Sequence, residues 1–524
     1  MAAAMQFFSR LAALAVLAVA LCHGAATDDP FAVPNGLLIG AGVSAIQTEG
    51  AWDEDGKGES AADHVLHTGK LTKLGFSNDS HQHDVAANSY RRYKDDVKAA
   101  AELGLKLYRL SISWSRVLPD GVARNEKGIQ YYHDLIDEVL KHNMVPLVTL
   151  YHFDHPWVLE DQFKGWQSDK MIDYFKTYAS LAFKEYGSKV KMWITINEPN
   201  MYCTYFPSLF KEAGIYTDAD MDHYACIRVS LLAHAEAYHI FKDAGYEGQV
   251  GCSALLMTAR PNSTRPEDVY AADAFNQVSA GVVLSPIIHG DYPEIVKAHA
   301  TKQFVPFTEA ERQRITGTAD FIAINAYYGM IASYSTSSFN PFIHIPVIGP
   351  FMSDVPFVFV MIEGVDLQHM MSMFSVVEPD AIRSAVLWTW NEYKMPVLIS
   401  ENGYGDISNL GKKDRTRGVY HSAFLRTLVS TMKEYSIKVI GYCTWSLIDS
   451  FEWSAGFGRP FGLIHVDYEG GSLERSQKDS SQFWIELART GRIPLWEEER
   501  PSSAATTAAA SASLLLLALA ANLL

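Results

Sequence analysis

The chain is poor in cysteine for its length. It has 5 cysteines in 524 residues, and one of them, Cys22, lies in an apolar N-terminal run. The remaining four are too few for a disulfide scaffold, and no two have the CxxC spacing of a zinc or redox site. Cys252 and Cys443 lie in apolar, strand-like runs, so we expect them to be buried. Cys203 and Cys226 could pair, but the sequence does not decide it.

Clusters of positive charge are also missing. Lys and Arg total 44 against 60 Asp and Glu, which gives a net charge of −16, and no basic run interrupts this balance. An acidic chain of this kind is a poor partner for nucleic acid or an anionic membrane surface. The chain is 48% apolar and only 20% charged, so it can bury a large core and is not of disordered composition. No low-complexity linker divides residues 30–498. The sequence therefore predicts a single domain that spans residues 27–498.

Both ends carry apolar runs that are typical of targeting signals. Leu11–Leu21 follows a single positive charge and precedes small residues, which predicts a secretory signal peptide over residues 1–26. Residues 499–524 contain small residues, an Ala/Thr/Ser spacer and the apolar tail Leu514–Leu524. This order favours a GPI-anchor signal over a terminal spanning helix, because no basic residue follows the apolar run.

These signals predict an extracellular protein, held at the cell surface by a glycolipid anchor. Two sequons, at Asn78 and Asn262, would be available for N-glycosylation in that compartment.

Short apolar runs alternate with amphipathic segments along the chain. The predicted strands are Leu37–Ile46, Lys106–Ser113, Val145–His152, Lys191–Asn197, Gln249–Leu256, Phe321–Tyr327, Pro396–Glu401 and Val439–Ser446. The predicted helices between them include Tyr90–Glu102, Ile129–His142, Met171–Tyr186, Val229–Ala244 and Val419–Glu434. Eight strand–helix repeats predict an α/β fold, a (β/α)8 TIM barrel, rather than an open doubly wound sheet.

Two glutamates follow the predicted fourth and seventh strands. Glu198 lies in the segment Thr-Ile-Asn-Glu-Pro and Glu401 in Ile-Ser-Glu-Asn-Gly. The active site of this architecture forms at the C-terminal ends of the strands. A carboxyl group there is costly unless it is paired or catalytic. Two such groups fit glycoside cleavage, in which one carboxyl donates a proton and the other attacks the sugar.

These segments resemble glycoside hydrolase family 1, and the resemblance covers nearly all of residues 30–498. Other stretches that carry it are residues 42–51, 108–116 and 445–453. The resemblance implies a retaining exo-β-glycosidase with Glu198 as acid/base and Glu401 as nucleophile. Glu198 should then have a raised pKa, whereas Glu401 should be ionised.

The resemblance also implies roles for further residues. Arg109 and Tyr327 would flank the nucleophile. The residues expected to bind the sugar are Gln47, His152, Asn197, Asn325, Trp445, Glu452, Trp453 and Phe461. No metal and no cofactor are implied.

Several positions depart from the family pattern. Phe153 stands where the family usually has tryptophan, Ser450 replaces an asparagine, and Pro460 replaces an arginine. None of these changes removes a catalytic group. The stretch Ser333–Met373 matches poorly, and we expect it to be a rim loop, either the wall of the leaving-group site or an irregular loop packed on the barrel.

The expected substrate is a β-glycoside of a neutral hexose: a β-D-glucoside, with galactoside and fucoside as alternatives. Glu452 disfavours a phosphorylated sugar, because a carboxylate there would repel phosphate. The same site could serve a myrosinase-like thioglucosidase or a transglycosylase. A non-catalytic klotho-like surface receptor is the alternative from another class, although such proteins have typically lost one of the two glutamates.

Two short motifs imitate other sites. The glycines of residues 40–45 resemble a dinucleotide fingerprint, but residues 47–56 cannot continue as the amphipathic helix that this fingerprint needs. Residues 81–84, His-Gln-His-Asp, could be a metal cluster, although a solvated approach to the next helix is the better prediction.

Overall fold

The computed structural model describes residues 29–299, 304–335, 358–363, 372–408 and 410–498. Eight parallel strands close into a barrel in which the first strand pairs with the last. They are β1 Leu38–Gly42, β2 Leu107–Ser111, β3 Val145–Tyr151, β4 Met192–Ile196, β5 Gln249–Leu255, β6 Phe321–Asn325, β7 Val397–Asn402 and β8 Val439–Trp445. Each falls within a predicted strand, apart from the last residue of β7, and the predicted (β/α)8 barrel is confirmed.

Helices cover the outside of the barrel, and they match the amphipathic segments of the sequence. The long ones are Ser89–Glu102, Glu126–Lys141, Lys170–Tyr186, Pro199–Glu212, His223–Asp243, Pro266–Asn276, Asp380–Tyr393, Arg415–Tyr435 and Ser481–Thr490. Shorter helices include Val282–His289 and Glu309–Ile315. Because helices cover every strand, the strands are buried on both faces and read as continuous apolar runs.

Apolar side chains fill the inside of the barrel below its C-terminal rim. This inner cluster consists of Leu107, Leu147, Met192, Ile194, Phe321, Ala323, Leu398 and Cys443. Side chains two positions further along a strand point to the same face. Leu107 and Ala323 therefore lie below Arg109 and Asn325, which places polar groups directly above the apolar interior.

One glycine is required where β1 lies against β2. A Cβ atom on Gly40 would stand 1.9 Å from the carbonyl oxygen of Leu107. The glycines of residues 40–45 thus serve close strand packing, and the helix that follows, Ala45–Thr48, is a single turn. The rejection of a dinucleotide site is consistent with this geometry, since that site needs a longer helix.

The remaining strands form two small sheets outside the barrel. Ala259–Pro261, Met330–Tyr334 and Val358–Ile362 make one, and Ile464–Val466 pairs with Arg475–Gln477 in the other. The stretch Ser333–Met373, expected to be a rim loop, contains one of these strands, and most of it lies outside the described residues. In the described part of the chain, no helix is both long and apolar enough to span a bilayer.

Cysteine placement answers the question that the sequence left open. Cys203 and Cys226 form a disulfide with a Cα–Cα distance of 5.6 Å. It joins the helix Pro199–Glu212 to the helix His223–Asp243. Cys252 and Cys443 are free thiols and are buried, as expected.

Candidate active site

The carboxylate of Glu401 lies at the C-terminal end of β7, held by one donor from β2 and one from the segment that follows β6. Arg109 Nη1 donates to Oε1 at 2.5 Å, and the Tyr327 hydroxyl donates to Oε2 at 2.7 Å. Both oxygens of Glu401 are therefore acceptors, and one partner is a cation that is itself 1% exposed. A carboxylate held in this way has a fixed direction and its charge is balanced.

Glu198 lies directly after β4, which is three strands away from β7 in the barrel order. Its Oε1 accepts a hydrogen bond of 2.7 Å from Asn325 Nδ2. Burial, followed by the negative charge of Glu401, raises the pKa of Glu198 to about 8. At neutral pH this carboxyl group therefore carries a proton, as a general acid must.

Asn197 and Asn325 connect the surroundings of the two glutamates. Arg109 Nη2 donates to Asn197 Oδ1 at 2.8 Å, and Asn325 Nδ2 donates to the same oxygen at 3.1 Å. Asn325 Oδ1 accepts from the hydroxyl groups of Ser400 at 2.6 Å and Ser253 at 3.1 Å. The two carboxyl groups thus belong to one hydrogen-bonded network contributed by several strands.

His152 follows β3 and faces this network. Its Nε2 lies 3.4 Å from Asn197 Nδ2, and its ring stacks on Trp445 with a centroid distance of 5.8 Å. Burial and the nearby Arg109 charge hold the pKa of His152 well below its usual range. The ring is therefore neutral and can both donate and accept a hydrogen bond.

Gln47 is buried and Glu452 is half-buried. Gln47 Nε2 donates to the carbonyl oxygen of Phe451 at 2.8 Å, while its Oε1 accepts from Ser44. Glu452 Oε1 accepts from the Ser450 hydroxyl at 2.7 Å. Burial raises the pKa of Glu452 to about 8.

The aromatic residues predicted for the site lie along its wall. The Trp453 ring packs 5.9 Å from Phe153 and 5.3 Å from Phe206. Phe461 lies 5.9 Å from Tyr327. Every residue that the sequence predicted for catalysis or sugar binding thus belongs to one cluster, either by direct contact or through a shared neighbour.

Other side chains of the site escaped sequence reasoning. Phe374 packs edge-on against Tyr327 and Tyr328, each at 5.4 Å, and against Phe461 at 5.6 Å. It follows the poorly matching stretch directly, so only its position next to that stretch hinted at a role. Ser400 could have been found, because it immediately precedes Glu401 in a strand that ends at the rim.

Among the described residues, one group brings potential metal ligands together outside this site. Ligand atoms of His67, His83 and Asp84 lie within 4.8 Å of one another. The Asp84 carboxylate already accepts from His67 at 2.7 Å and from His81 at 2.8 Å, so hydrogen bonds account for the arrangement. The prediction that residues 81–84 are solvated is wrong for His83. Its side chain is only 2% exposed, and its Nε2 lies 3.4 Å from Asp63 Oδ1.

The two sequon asparagines, Asn78 and Asn262, are exposed. A glycan at either position would project into solvent, where an oligosaccharide can be accommodated.

Comparison with known proteins gives a consistent picture. The profile described as Glycosyl hydrolase family 1 matches residues 30–492. Myrosinase 1 of Brevicoryne brassicae is 34% identical over 487 residues, which cover 88% of this chain and 99% of that protein. Beta-glucosidase 6 of Oryza sativa subsp. japonica is 34% identical over 485 residues, covering 87% and 90%. A solved rice β-glucosidase superposes with a TM-score of 0.77 at 32% identity, covering 87% of this chain and 98% of that one.

Proposed function

The chain belongs to glycosyl hydrolase family 1 as a β-glucosidase-type glycoside hydrolase, and we propose that it is a retaining exo-β-glycosidase. In this proposal Glu401 is the nucleophile and Glu198 the acid/base. The observation that carries it is the contrast between the two carboxyl groups. Glu401 accepts hydrogen bonds from a guanidinium and a phenol, whereas the pKa of Glu198 is raised to about 8.

This contrast provides the two functions that glycoside cleavage needs. In the first step Glu198 gives its proton to the glycosidic oxygen, and the bond between that oxygen and the anomeric carbon breaks. An oxygen of Glu401 forms a covalent bond to the same carbon. The aglycone leaves as an alcohol, and the sugar remains as an ester of Glu401.

The second step reverses the proton transfer. Once Glu401 is an ester its charge is gone, and one of the two causes that raise the pKa of Glu198 is removed. Glu198, now ionised, takes a proton from water while the water oxygen attacks the anomeric carbon, and the bond between that carbon and the Glu401 oxygen breaks. The sugar leaves with its original configuration, and both carboxyl groups return to their starting state.

We propose that the sugar is a neutral hexose, with β-D-glucoside as the principal substrate and galactoside or fucoside as alternatives. The buried polar groups of Gln47, His152 and Asn197 support this choice, together with the half-buried carboxyl group of Glu452. Buried groups of this kind gain most from a ligand that supplies matching hydroxyls. Because the pKa of Glu452 is raised to about 8, this group is protonated at neutral pH and would repel phosphate only at higher pH.

Thioglucoside cleavage is a second candidate, supported by the similarity to the aphid protein named Myrosinase 1. A thiolate leaves with little protonation, so this reaction would not depend on Glu198. Transglycosylation uses the same two glutamates, with a sugar in place of water. A klotho-like receptor is disfavoured because Glu198, Glu401, Arg109 and Tyr327 are all present.

We also propose that the protein is secreted and tethered by a glycolipid anchor. The apolar run Leu11–Leu21 and the tail of residues 499–524 support this, although both lie outside the described residues. The disulfide between Cys203 and Cys226 fits an oxidising compartment. Release of the protein from intact cells by a phosphatidylinositol-specific phospholipase C is the expected result, and its retention in the membrane pellet would contradict the anchor.

The test of the proposed activity is a panel of aryl β-glycosides hydrolysed by the purified protein beside the Glu401→Gln variant. We expect glucoside turnover by the wild type and a loss of at least about a thousandfold in the variant, because the covalent step is removed. Proton NMR during the reaction should show the β-anomer as first product. Release of the α-anomer would exclude the retaining mechanism, and turnover of thioglucosides alone would favour the second candidate.

A further inference from the structure

Glu198 has an unusual backbone conformation for a glutamate. Its φ of 44° and ψ of 61° lie in the left-handed region, which a residue with a side chain adopts only when its surroundings enforce it. Its own N–H donates to the carbonyl oxygen of Ser253 at 2.9 Å. The helix Pro199–Glu212 starts at the next residue, so the direction of that helix and the direction of the Glu198 side chain are coupled.

Asn200 lies in the first turn of this helix, two residues after Glu198, and is 1% exposed. Its amide nitrogen donates to the carbonyl oxygens of Leu255 at 2.8 Å and Ser279 at 2.7 Å. Its amide oxygen accepts from the N–H of Leu255 at 3.1 Å. One side chain thus makes three hydrogen bonds to main-chain atoms.

These bonds join three parts of the fold that are distant in sequence. Leu255 is the last residue of β5, and Ser279 lies in the π-helical turn Gln277–Gly281. The helix that starts beside Glu198 is therefore fastened to the neighbouring strand and to a helical turn behind it. An aspartate or an aliphatic side chain at position 200 could not supply two donors and an acceptor together.

We propose that Asn200 is a positioning residue for Glu198, which holds the first turn of the helix against β5 so that the acid/base carboxyl group points at the glycosidic oxygen. The inference rests on the proposed function, because it assumes that Glu198 is the acid/base. It goes beyond that function in assigning the direction of the proton donor to a side chain that lies outside the hydrogen-bonded network of the two catalytic glutamates.

The test is the Asn200→Ala variant with aryl β-glucosides whose phenols differ in pKa. Acid catalysis supplies about 10²–10⁴ in rate, and it matters most for basic leaving groups. We therefore expect kcat/KM to fall about tenfold for the phenyl glucoside and less than about twofold for the 2,4-dinitrophenyl glucoside. With the dinitrophenyl substrate kcat should also fall, since water then needs the misplaced base, and azide, which needs no base, should restore it.

Asn276→Ala is the matched control. Asn276 is also buried, and its side chain bonds to main-chain atoms of Ala259 at 2.7 and 3.0 Å. The control removes a similar bridge that is not attached to the helix of Glu198. Asn276→Ala should lower thermal stability, but any fall in kcat/KM relative to the wild type should be the same for all leaving groups.

If Asn200→Ala is not recovered folded, Asn200→Ser carries the same comparison, because it keeps a small polar group at the buried position. An equal loss for all leaving groups, with no restoration by azide, would make Asn200 a merely structural residue and overturn the proposal. The Glu198→Gln variant separates the two hypotheses. If the loss of kcat/KM in Glu198→Gln is also the same for all leaving groups, the acid/base assignment itself is wrong.

Discussion

The Glu198→Gln variant should be more stable than the wild type at neutral pH, although it loses the acid/base group. The pKa of Glu198 is raised from 4.5 to about 8 in the folded protein. Between these two values the folded state keeps a proton that the unfolded state releases. The stability of the wild type therefore falls as the pH rises through this window, and below pH 4.5 the group has no such effect.

The size of this effect follows from the same linkage. One proton changes the free energy of unfolding by about 1.4 kcal/mol per pH unit. From pH 5 to pH 7.5 the wild type should lose about 3 kcal/mol through Glu198 alone. A glutamine cannot ionise, and its amide oxygen can still accept the hydrogen bond from Asn325. The advantage of the variant should therefore be about 1 kcal/mol at pH 5 and grow by about 3 kcal/mol, to about 4 kcal/mol, at pH 7.5.

Thermal unfolding at the two pH values measures this difference. For a barrel of this size, 1 kcal/mol corresponds to roughly 1 °C in Tm, so the variant should gain about 3 °C on the wild type between pH 5 and pH 7.5. Glu247→Gln is the control, because the Glu247 side chain is 90% exposed and should give the same Tm difference at both values. If Glu198→Gln also gave a constant difference, Glu198 would be ionised at neutral pH and could not act as the acid.

Two further predictions concern neighbouring contacts. Tyr327→Phe removes the 2.7 Å hydrogen bond to Glu401, and kcat/KM should fall about tenfold or more, as expected for a bond to a charged group. Tyr328→Phe is its control, because within the described part of the chain the Tyr328 hydroxyl bonds to the sulfur of Met257 and not to Glu401. An equal loss of kcat/KM in this control would show that the effect is not specific to the nucleophile. The disulfide between Cys203 and Cys226 closes a loop of 23 residues. Replacing both cysteines with alanine should cost about 3 kcal/mol of stability. Calorimetry checks this, and an unchanged Tm would refute it.

The fold could be predicted because its signals are local. An apolar run of five to seven residues and an amphipathic helix after it are visible within short windows of sequence. Eight repeats then leave few ways to bury every strand. Apart from Asn402, the predicted strands contained every residue of the observed ones, and the main errors were at the ends, such as Leu37–Ile46 for Leu38–Gly42.

The contents of the site were predicted less evenly. Residues at strand ends, such as Asn325 and Glu401, were found because the rim of a barrel collects polar side chains. Phe374 was missed, because it follows an irregular stretch in which no period indicates a face. His83 was expected in solvent, since its neighbours in sequence are polar, yet packing against Asp63 and His67 buries it.

The residue types and their order along the chain were enough to establish the barrel, the two glutamates and the family resemblance. Only the tertiary structure decided which atoms meet. Arg109 and Glu401 are separated by 292 positions, and Asn200 and Ser279 by 79. Contacts over such distances depend on closure of the barrel and on how helices pack outside it. No local pattern encodes them, because hydrogen-bond geometry is set to tenths of an ångström by the whole fold.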